Sequence, residues 1–205
     1  MTSVKKLYGI CYGPHRDGQD PTRNIHPNET EMNQDIVFLS KLTKRIRTYS
    51  PQNILNVIKS LDKNKIQINL GISLDVNNTN DIEISEAKNI LAKYSDLIYC
   101  ITVGNEVLAR IIWDSNFDLD HVSPVIKKHI DKVKTNQMIP YVYDLKKAVS
   151  RSNNKNICVT TAEPSSNPLQ LTFVTEISPS KSQPPGLTAT QPVMVQPLSS
   201  VTITV

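Results

Sequence analysis

The segment Ile101-Thr-Val-Gly-Asn-Glu106-Val-Leu108 is an apolar run that is interrupted by a polar pair, Asn105-Glu106. Together with the residues just before it, the run is short, nearly continuous and rich in β-branched side chains, which indicates a buried strand. In a parallel barrel, the residues at the carboxyl ends of the strands converge on one mouth. The segment therefore predicts a buried parallel strand with a candidate functional pair at its carboxyl end.

Three similar runs and one short, more polar segment, Arg45–Tyr49, predict further strands, and stretches of helical period lie between them. The predicted strands are Leu7–Tyr12, Arg45–Tyr49, Ile66–Leu74, Ile98–Val103 and Ile157–Thr161. The predicted helices have apolar faces that include Ile36, Ile58, Ala87, Ile130 and Leu145. Because parallel pairing requires a long return connection, this alternation predicts parallel strands that are joined by helices and covered on both faces.

Five such units fit either an open doubly wound sheet or part of an eight-stranded barrel. No Gly-x-Gly-x-x-Gly and no Gly-x-x-x-x-Gly-Lys-Ser/Thr loop follows a predicted strand. The commonest reason to favour a nucleotide-binding open sheet is thereby removed.

The composition is that of an ordinary globular protein, with 39% hydrophobic and 20% charged residues in 205. The 23 basic and 19 acidic residues are mixed along the chain, which favours a solvated surface without nucleic acid. We expect no membrane segment and no metal site, and because no leader sequence is evident at Met1 we expect a cytoplasmic chain as written. The three cysteines lie in apolar runs and are predicted to be buried free thiols.

The composition changes after Glu163. From Pro164 to Val205 the chain is rich in Pro, Ser and Thr, and its only charged residues are Glu176 and Lys181. Such a segment buries little apolar surface against its ordering entropy. We therefore expect a folded domain over residues 1–163 and a disordered tail over residues 164–205.

Val103-Gly-Asn-Glu-Val-Leu108 resembles the Val-Gly-Asn-Glu-Val-Leu signature of family 17 glycoside hydrolases, the (β/α)8-barrel β-1,3-glucanases and glucanosyltransferases of fungi and plants. Four other segments resemble family segments in the same order, over roughly four-fifths of the chain. They are Tyr8-Gly-Ile-Cys-Tyr-Gly-Pro14 with Arg16 and Gly18, Ile46-Arg-Thr-Tyr49, Leu70-Gly-Ile72 and Val159-Thr-Thr-Ala-Glu-Pro164. Five ordered motifs are far more specific than any one of them.

The resemblance implies a role for each matched residue. Glu106 would be the general acid/base, and Asn105 would bind the sugar 2-hydroxyl. Arg47 would lie beside the catalytic carboxylates, while Tyr12 and Tyr49 would line the glycone subsite. The implied partner is a β-glucan, the implied chemistry is retaining and needs no cofactor, and members of the family are commonly secreted or associated with cell walls.

A retaining glycosidase also needs a nucleophilic carboxylate roughly 5–5.5 Å from the acid/base. In the family this glutamate lies in a Glu-Thr-Gly-Trp-Pro motif, which is absent from this sequence. Glu163 also ends a strand, but the resemblance assigns it no such role. The chain therefore resembles the first five βα units of an incomplete eight-unit (β/α)8 barrel.

Three hypotheses follow from these motifs. The first is that the chain is part of a β-1,3-glucan hydrolase or transglycosylase. The second is that it is a catalytically inactive truncated relative that binds glucan at most. The third hypothesis is that the chain is an unrelated open α/β sheet protein. Five parallel strands without closure leave unpaired edges, so we expect poor stability and little activity from this chain alone.

Overall fold

The computed structural model describes residues 6–20, 23, 25–52, 54–75, 80–114 and 124–162. Glu163, the predicted domain boundary beside it and the predicted disordered tail lie outside the described residues. Within the described part, no helix is both long and apolar enough to cross a membrane. No group of three or more His, Cys, Asp or Glu side chains there is placed to hold a metal ion.

Strands and helices alternate along the described chain as the sequence predicts. The strands are β1 (Ile10–Cys11), β2 (Arg45–Arg47), β3 (Gln67–Ile72), β4 (Ile98–Asn105) and β5 (Cys158–Ala162). The helices are α1 (Glu29–Leu42), α2 (Ile54–Lys63), α3 (Asn80–Tyr94), α4 (Val107–Asp114), α5 (Pro124–Val133) and α6 (Ile139–Arg151). A 3-10 turn, Ser95–Leu97, precedes β4, and a π-helical turn, Lys134–Met138, precedes α6.

The five strands form one parallel sheet in the order β1-β2-β3-β4-β5. This sequential order separates the two architectures that the sequence left open. A doubly wound sheet reverses its strand order at a switch point, whereas the strands of a (β/α)8 barrel follow one another. Because the crossovers of parallel strands are right-handed, the sequential order places the connecting helices on one face. The fold is an α/β fold of the TIM-barrel type, with five parallel strands in the described part of the chain.

The strand register divides the sheet into two faces. The face that packs on the helices, here called the helix face, contains the buried side chains Ile46, Ile68, Leu70, Ile101 and Val159. The opposite face, here called the open face, contains the continuous lateral row Cys11, Arg47, Asn69, Cys100 and Cys158. The helix face supplies the apolar core, and the open face carries the polar and thiol groups.

Two expectations about burial need correction. Most residues of β4 are buried on both faces of the sheet, as predicted. In β5, buried and exposed residues alternate, with Val159 buried and Cys158 and Thr160 exposed. The cysteines are free thiols as predicted, but only Cys100 is buried, while Cys11 is intermediate and Cys158 exposed. The reason is position, because β1 and β5 are the two outer strands of the described sheet.

Candidate active site

The turn after β4 has an unusual backbone. Gly104 has φ 78° and Glu106 has φ 54°, in the left-handed region that non-glycine residues adopt at a cost. A Cβ atom at position 104 would lie 2.7 Å from Val107 Cγ2, which favours glycine there. The Glu106 N–H donates to the Ala162 carbonyl oxygen at 2.7 Å. The Val-Gly-Asn-Glu motif therefore forms a tight strand-to-helix turn that places Asn105 and Glu106 at the end of β4.

Helix α4 begins directly after this turn and was not predicted from the sequence. Its first residues Val107, Leu108 and Ala109 are almost fully buried. The residue directly before them is Glu106, which is neither a proline nor a conventional N-cap residue, so the pattern contains no helix start signal at Val107. The positive φ of Glu106 ends the strand instead.

Replacing Glu106 by glycine should stabilise the fold. Glycine adopts φ 54° without the steric cost that a Cβ atom imposes, although it loses more entropy on folding. We expect a gain of about 0.5–1 kcal/mol in the free energy of unfolding, measured by urea denaturation. Lys65→Gly is the matched control, because Lys65 has φ 55° in an exposed turn. If Glu106→Gly lowers the stability while Lys65→Gly does not, the Glu106 side chain itself stabilises the fold. The strained backbone at Glu106 would then need no functional explanation.

Arg47 lies across β3 from the β4 turn and contacts it directly. Its Nη2 donates to Asn105 Oδ1 at 2.8 Å, across 58 residues of sequence, and its guanidinium carbon lies 5.3 Å from the centre of the Tyr49 ring. Arg47 Nε is buried and has no hydrogen-bond partner among the described residues. A buried donor of this kind requires an acceptor from a ligand, from water or from another part of the protein.

Tyr49 lies within electrostatic range of Glu106. The pKa of its hydroxyl is raised, first by partial burial and then by a hydrogen bond with the Cys11 thiol. The charge of Arg47 lowers this pKa, and the charge of Glu106 raises it. The structure thus brings together four of the five site residues predicted from the sequence: Arg47, Tyr49, Asn105 and Glu106.

The fifth predicted residue, Tyr12, follows β1 and is attached to this group through its backbone. Its N–H donates to the Arg47 carbonyl oxygen at 2.8 Å, but its side chain is buried in the core. The hydroxyl donates to Asp35 Oδ2 on α1 at 3.1 Å, and burial together with that carboxylate raises its pKa. Arg16 Nη2 donates to the other oxygen of Asp35 at 2.6 Å. Asp35 therefore holds both Tyr12 and the loop after β1.

Glu83 on α3 is a second supporting carboxylate, and its role was not predicted from the sequence. Its side chain is almost fully buried. It accepts a hydrogen bond from Ser50 Oγ at 2.7 Å and another from Ser73 N–H at 2.9 Å, so it joins the loops after β2 and β3. Its burial could have been predicted from the sequence, because Glu83 lies four residues before Ala87 and therefore on the apolar face of the helix.

Comparison with known proteins identifies structural relatives only. No family model matches the chain, and no curated protein sequence matches it. Two matching solved structures are of the Rhizomucor miehei β-1,3-glucanosyltransferase. One is an active-site mutant in complex with laminaritriose, with 25% identity over 77% of this chain and 49% of that chain and a TM-score of 0.54.

The other, described as a glycoside hydrolase family 17 enzyme, has the same identity and coverage and a TM-score of 0.53. An endo-laminarinase from Formosa Hel1_33_131 matches with 20% identity over 76% of this chain and 41% of that chain, at a TM-score of 0.54. At that identity the third similarity concerns the fold alone.

The class that these findings define is an α/β protein with a TIM-barrel-type parallel sheet. More narrowly, the chain has a fold like that of the family 17 glycoside hydrolases. It spans about half the length of the first structures that it matches. The resemblance in the sequence motifs and the similarity in three dimensions agree.

Proposed function

We propose that this chain carries the acid/base side of a retaining, β-1,3-glucan-active glycoside hydrolase site. The observation that carries the proposal is the grouping of Glu106, Asn105, Arg47 and Tyr49 where parallel strands end. Such an edge is where active sites lie in barrels of this kind. The solved relatives include a β-1,3-glucanosyltransferase in complex with laminaritriose, which makes a β-1,3-glucan the substrate class to test.

In the proposed mechanism, Glu106 protonates the oxygen of the leaving sugar and later activates the water that releases the glycosyl-enzyme. Asn105 binds the 2-hydroxyl. Arg47 donates to the Asn105 amide oxygen at 2.8 Å, so the amide NH2 group is the part of Asn105 that would donate to a sugar oxygen. Tyr49 provides an aromatic surface for the sugar ring, and it is 40% exposed.

The remaining donor of Arg47 supports the same proposal. A retaining site contains a second carboxylate that must stay ionised to act as the nucleophile. Arg47 Nε, buried and without a partner in the described part of the chain, is suited to donate a hydrogen bond to such a carboxylate. Tyr12 stays a proposed subsite residue on the family resemblance, since its hydroxyl is bonded to Asp35.

One observation favours a second candidate, glucan binding without hydrolysis. The sequence contains no Glu-Thr-Gly-Trp-Pro segment, which in the resembled family provides the nucleophile. A site with only the acid/base carboxylate would hold an oligosaccharide but would form no glycosyl-enzyme.

Titration of laminaritriose into the 205-residue chain, followed by NMR, tests the binding. We expect a dissociation constant on the order of millimolar and no binding of maltotriose, whose linkages differ. Asn105→Ala should weaken binding about tenfold, roughly 1.4 kcal/mol. Asn156→Ala is the control, because Asn156 is exposed in the loop before β5. Equal affinity for the two trisaccharides, or no affinity for laminaritriose, would contradict the proposal.

Release of reducing sugar from a β-1,3-glucan separates the two candidates. If sugar is released, Glu106→Gln should reduce the rate by about 10²–10⁴, because amide groups do not donate protons as acids do. Retention of the anomeric configuration, followed by NMR, would support the nucleophilic mechanism. If laminaritriose binds and no sugar is released by the wild type, glucan binding without hydrolysis is the activity of this chain.

A further inference from the structure

Two thiols lie side by side on the open face of the sheet. Cys100 on β4 and Cys158 on β5 are direct partners in the strand register, and each thiol shifts the pKa of the other. Neighbouring strands lie about 4.7–4.9 Å apart. This spacing falls within the roughly 4.4–6.8 Å that separates the Cα atoms of disulfide-bonded cysteines.

We propose that Cys100 and Cys158 are a redox-active thiol pair that closes a cross-strand disulfide by exchange with a small-molecule disulfide such as glutathione disulfide. The third cysteine is excluded by position. Cys11 lies in the same lateral row, but Arg47 and Asn69 separate it from Cys100. The proposal concerns a face of the sheet and does not depend on the glycosidase chemistry.

The two thiols have different surroundings, which determine the order of the steps. Cys158 is exposed, and its pKa is lowered to about 6, first by the hydrogen bond from Cys100 and then by the charge of Lys146, against the effect of burial. Cys100 is buried, and its hydrogen bond with Cys158 together with burial raises its pKa. The accessible thiolate is therefore at Cys158, which is the group that attacks first.

The exchange has two steps. Cys158 loses its proton and attacks one sulfur of glutathione disulfide, whose S–S bond breaks, and the departing glutathione thiolate takes up a proton. Cys100 then loses its proton and attacks Sγ of Cys158 in the mixed disulfide, which releases the second glutathione as a thiol. Two protein thiols are oxidised to one disulfide, and one glutathione disulfide is reduced to two thiols.

The disulfide would hold the outer strand β5 on the sheet at its amino-terminal end. At the carboxyl end of the same strand pair, the Glu106 N–H donates to the Ala162 carbonyl oxygen. Oxidation would thus tether both ends of β5 to the strand that carries Asn105 and Glu106.

Peptide mapping tests the proposal on the full reduced chain. After oxidation with glutathione disulfide, alkylation and digestion, we expect the peptide with Cys100 joined to the peptide with Cys158, and Cys11 alkylated. Cys158→Ser should abolish this product, and Cys11→Ser should leave its yield unchanged. Dithiothreitol should reverse the linkage. A stable glutathione adduct on Cys158 with Cys100 still free, or a linkage that includes Cys11, would overturn the proposal.

A second measurement needs no variant and so does not depend on how a variant folds. The native wild-type chain is treated with iodoacetamide at neutral pH, and each cysteine is quantified by mass spectrometry. Cys158 should react at least about tenfold faster than Cys100, because its thiol is exposed and more acidic. Equal rates would overturn the assignment of Cys158 as the attacking thiol.

Discussion

Gly71→Ala is expected to destabilise the protein by about 3 kcal/mol or more, because the new methyl group has no space. A Cβ atom on Gly71 would lie 1.9 Å from the Thr48 carbonyl oxygen and 2.7 Å from Tyr49 Cα. These are backbone atoms of the segment that directly follows β2, so no side-chain rotation relieves the contact. Strand β3 must move away from β2, which strains the bond from Thr48 N–H to the Asn69 carbonyl oxygen, 3.0 Å long.

The displacement would also reach the candidate site, since Arg47 and Tyr49 flank Thr48. Denaturation in urea measures the loss. For a chain of this size, about 3 kcal/mol corresponds to a fall in Tm of roughly 6–12 °C. Gly13→Ala is the matched control, because a Cβ atom there meets nothing within 4 Å, and its stability should change by less than about 0.5 kcal/mol. Equal denaturation midpoints for Gly71→Ala and Gly13→Ala would contradict the predicted clash.

Glu83→Ala should have the second largest effect, about 2–4 kcal/mol of lost stability. The substitution removes a buried carboxylate that accepts from Ser50 Oγ and Ser73 N–H. It leaves a cavity and two donors without acceptors. Because Ser50 follows Tyr49 directly, the loop after β2 should also lose order, and any affinity for laminaritriose should fall with it.

Glu83→Gln is the matched control for the shape of the side chain. Its amide oxygen accepts from Ser73 N–H, and its NH2 group donates to the Ser50 hydroxyl oxygen, so both contacts persist. We expect Glu83→Gln to lower the free energy of unfolding at neutral pH by about 1 kcal/mol or less. A loss as large as that of Glu83→Ala would show that the charge of Glu83, not its bonding geometry, stabilises the loops.

The stability that Glu83 contributes should also depend on pH, and the Glu83→Gln variant tests this dependence. The pKa of Glu83 is raised from its ordinary 4.5, first by burial, with the Ser50 and Ser73 bonds lowering it and the charge of Glu86 raising it. The folded state therefore binds a proton more tightly than the unfolded state. Protonated Glu83 therefore adds to the free energy of unfolding. This contribution is fully present below pH 4.5, and it is lost as the pH rises through the raised pKa of the folded state. Glu83→Gln should lack this decline in urea denaturation curves measured across that range. A parallel decline in the variant would assign it to other groups.

The Val103–Leu108 motif was the most predictable part of the protein. Apolar runs indicated β1, β3, β4 and β5, a short and more polar segment indicated β2, and Asn105-Glu106 marked the end of β4. These features depend on side chains that are neighbours along the chain, and period and composition record them directly. Helix α4 was missed because nothing in the pattern of Val107–Ala109 distinguishes a first helical turn from a continuing strand.

The supporting contacts were not predictable in this way. The bond from Arg47 to Asn105 spans 58 residues, and Gly71 matters only because β3 approaches Thr48 so closely. Whether a thiol is buried likewise depends on which strand lies at an edge, which is why the expectation for Cys158 was wrong.

The sequence by itself determined the alternation of strands and helices, the identity of the Val103–Leu108 turn and the residues that compose the candidate site. Only the tertiary structure decided the strand order, the pairing of Cys100 with Cys158 and the supporting role of Glu83. The physical reason is that local periodicity is set by residues a few positions apart, whereas lateral register is set by packing between distant segments.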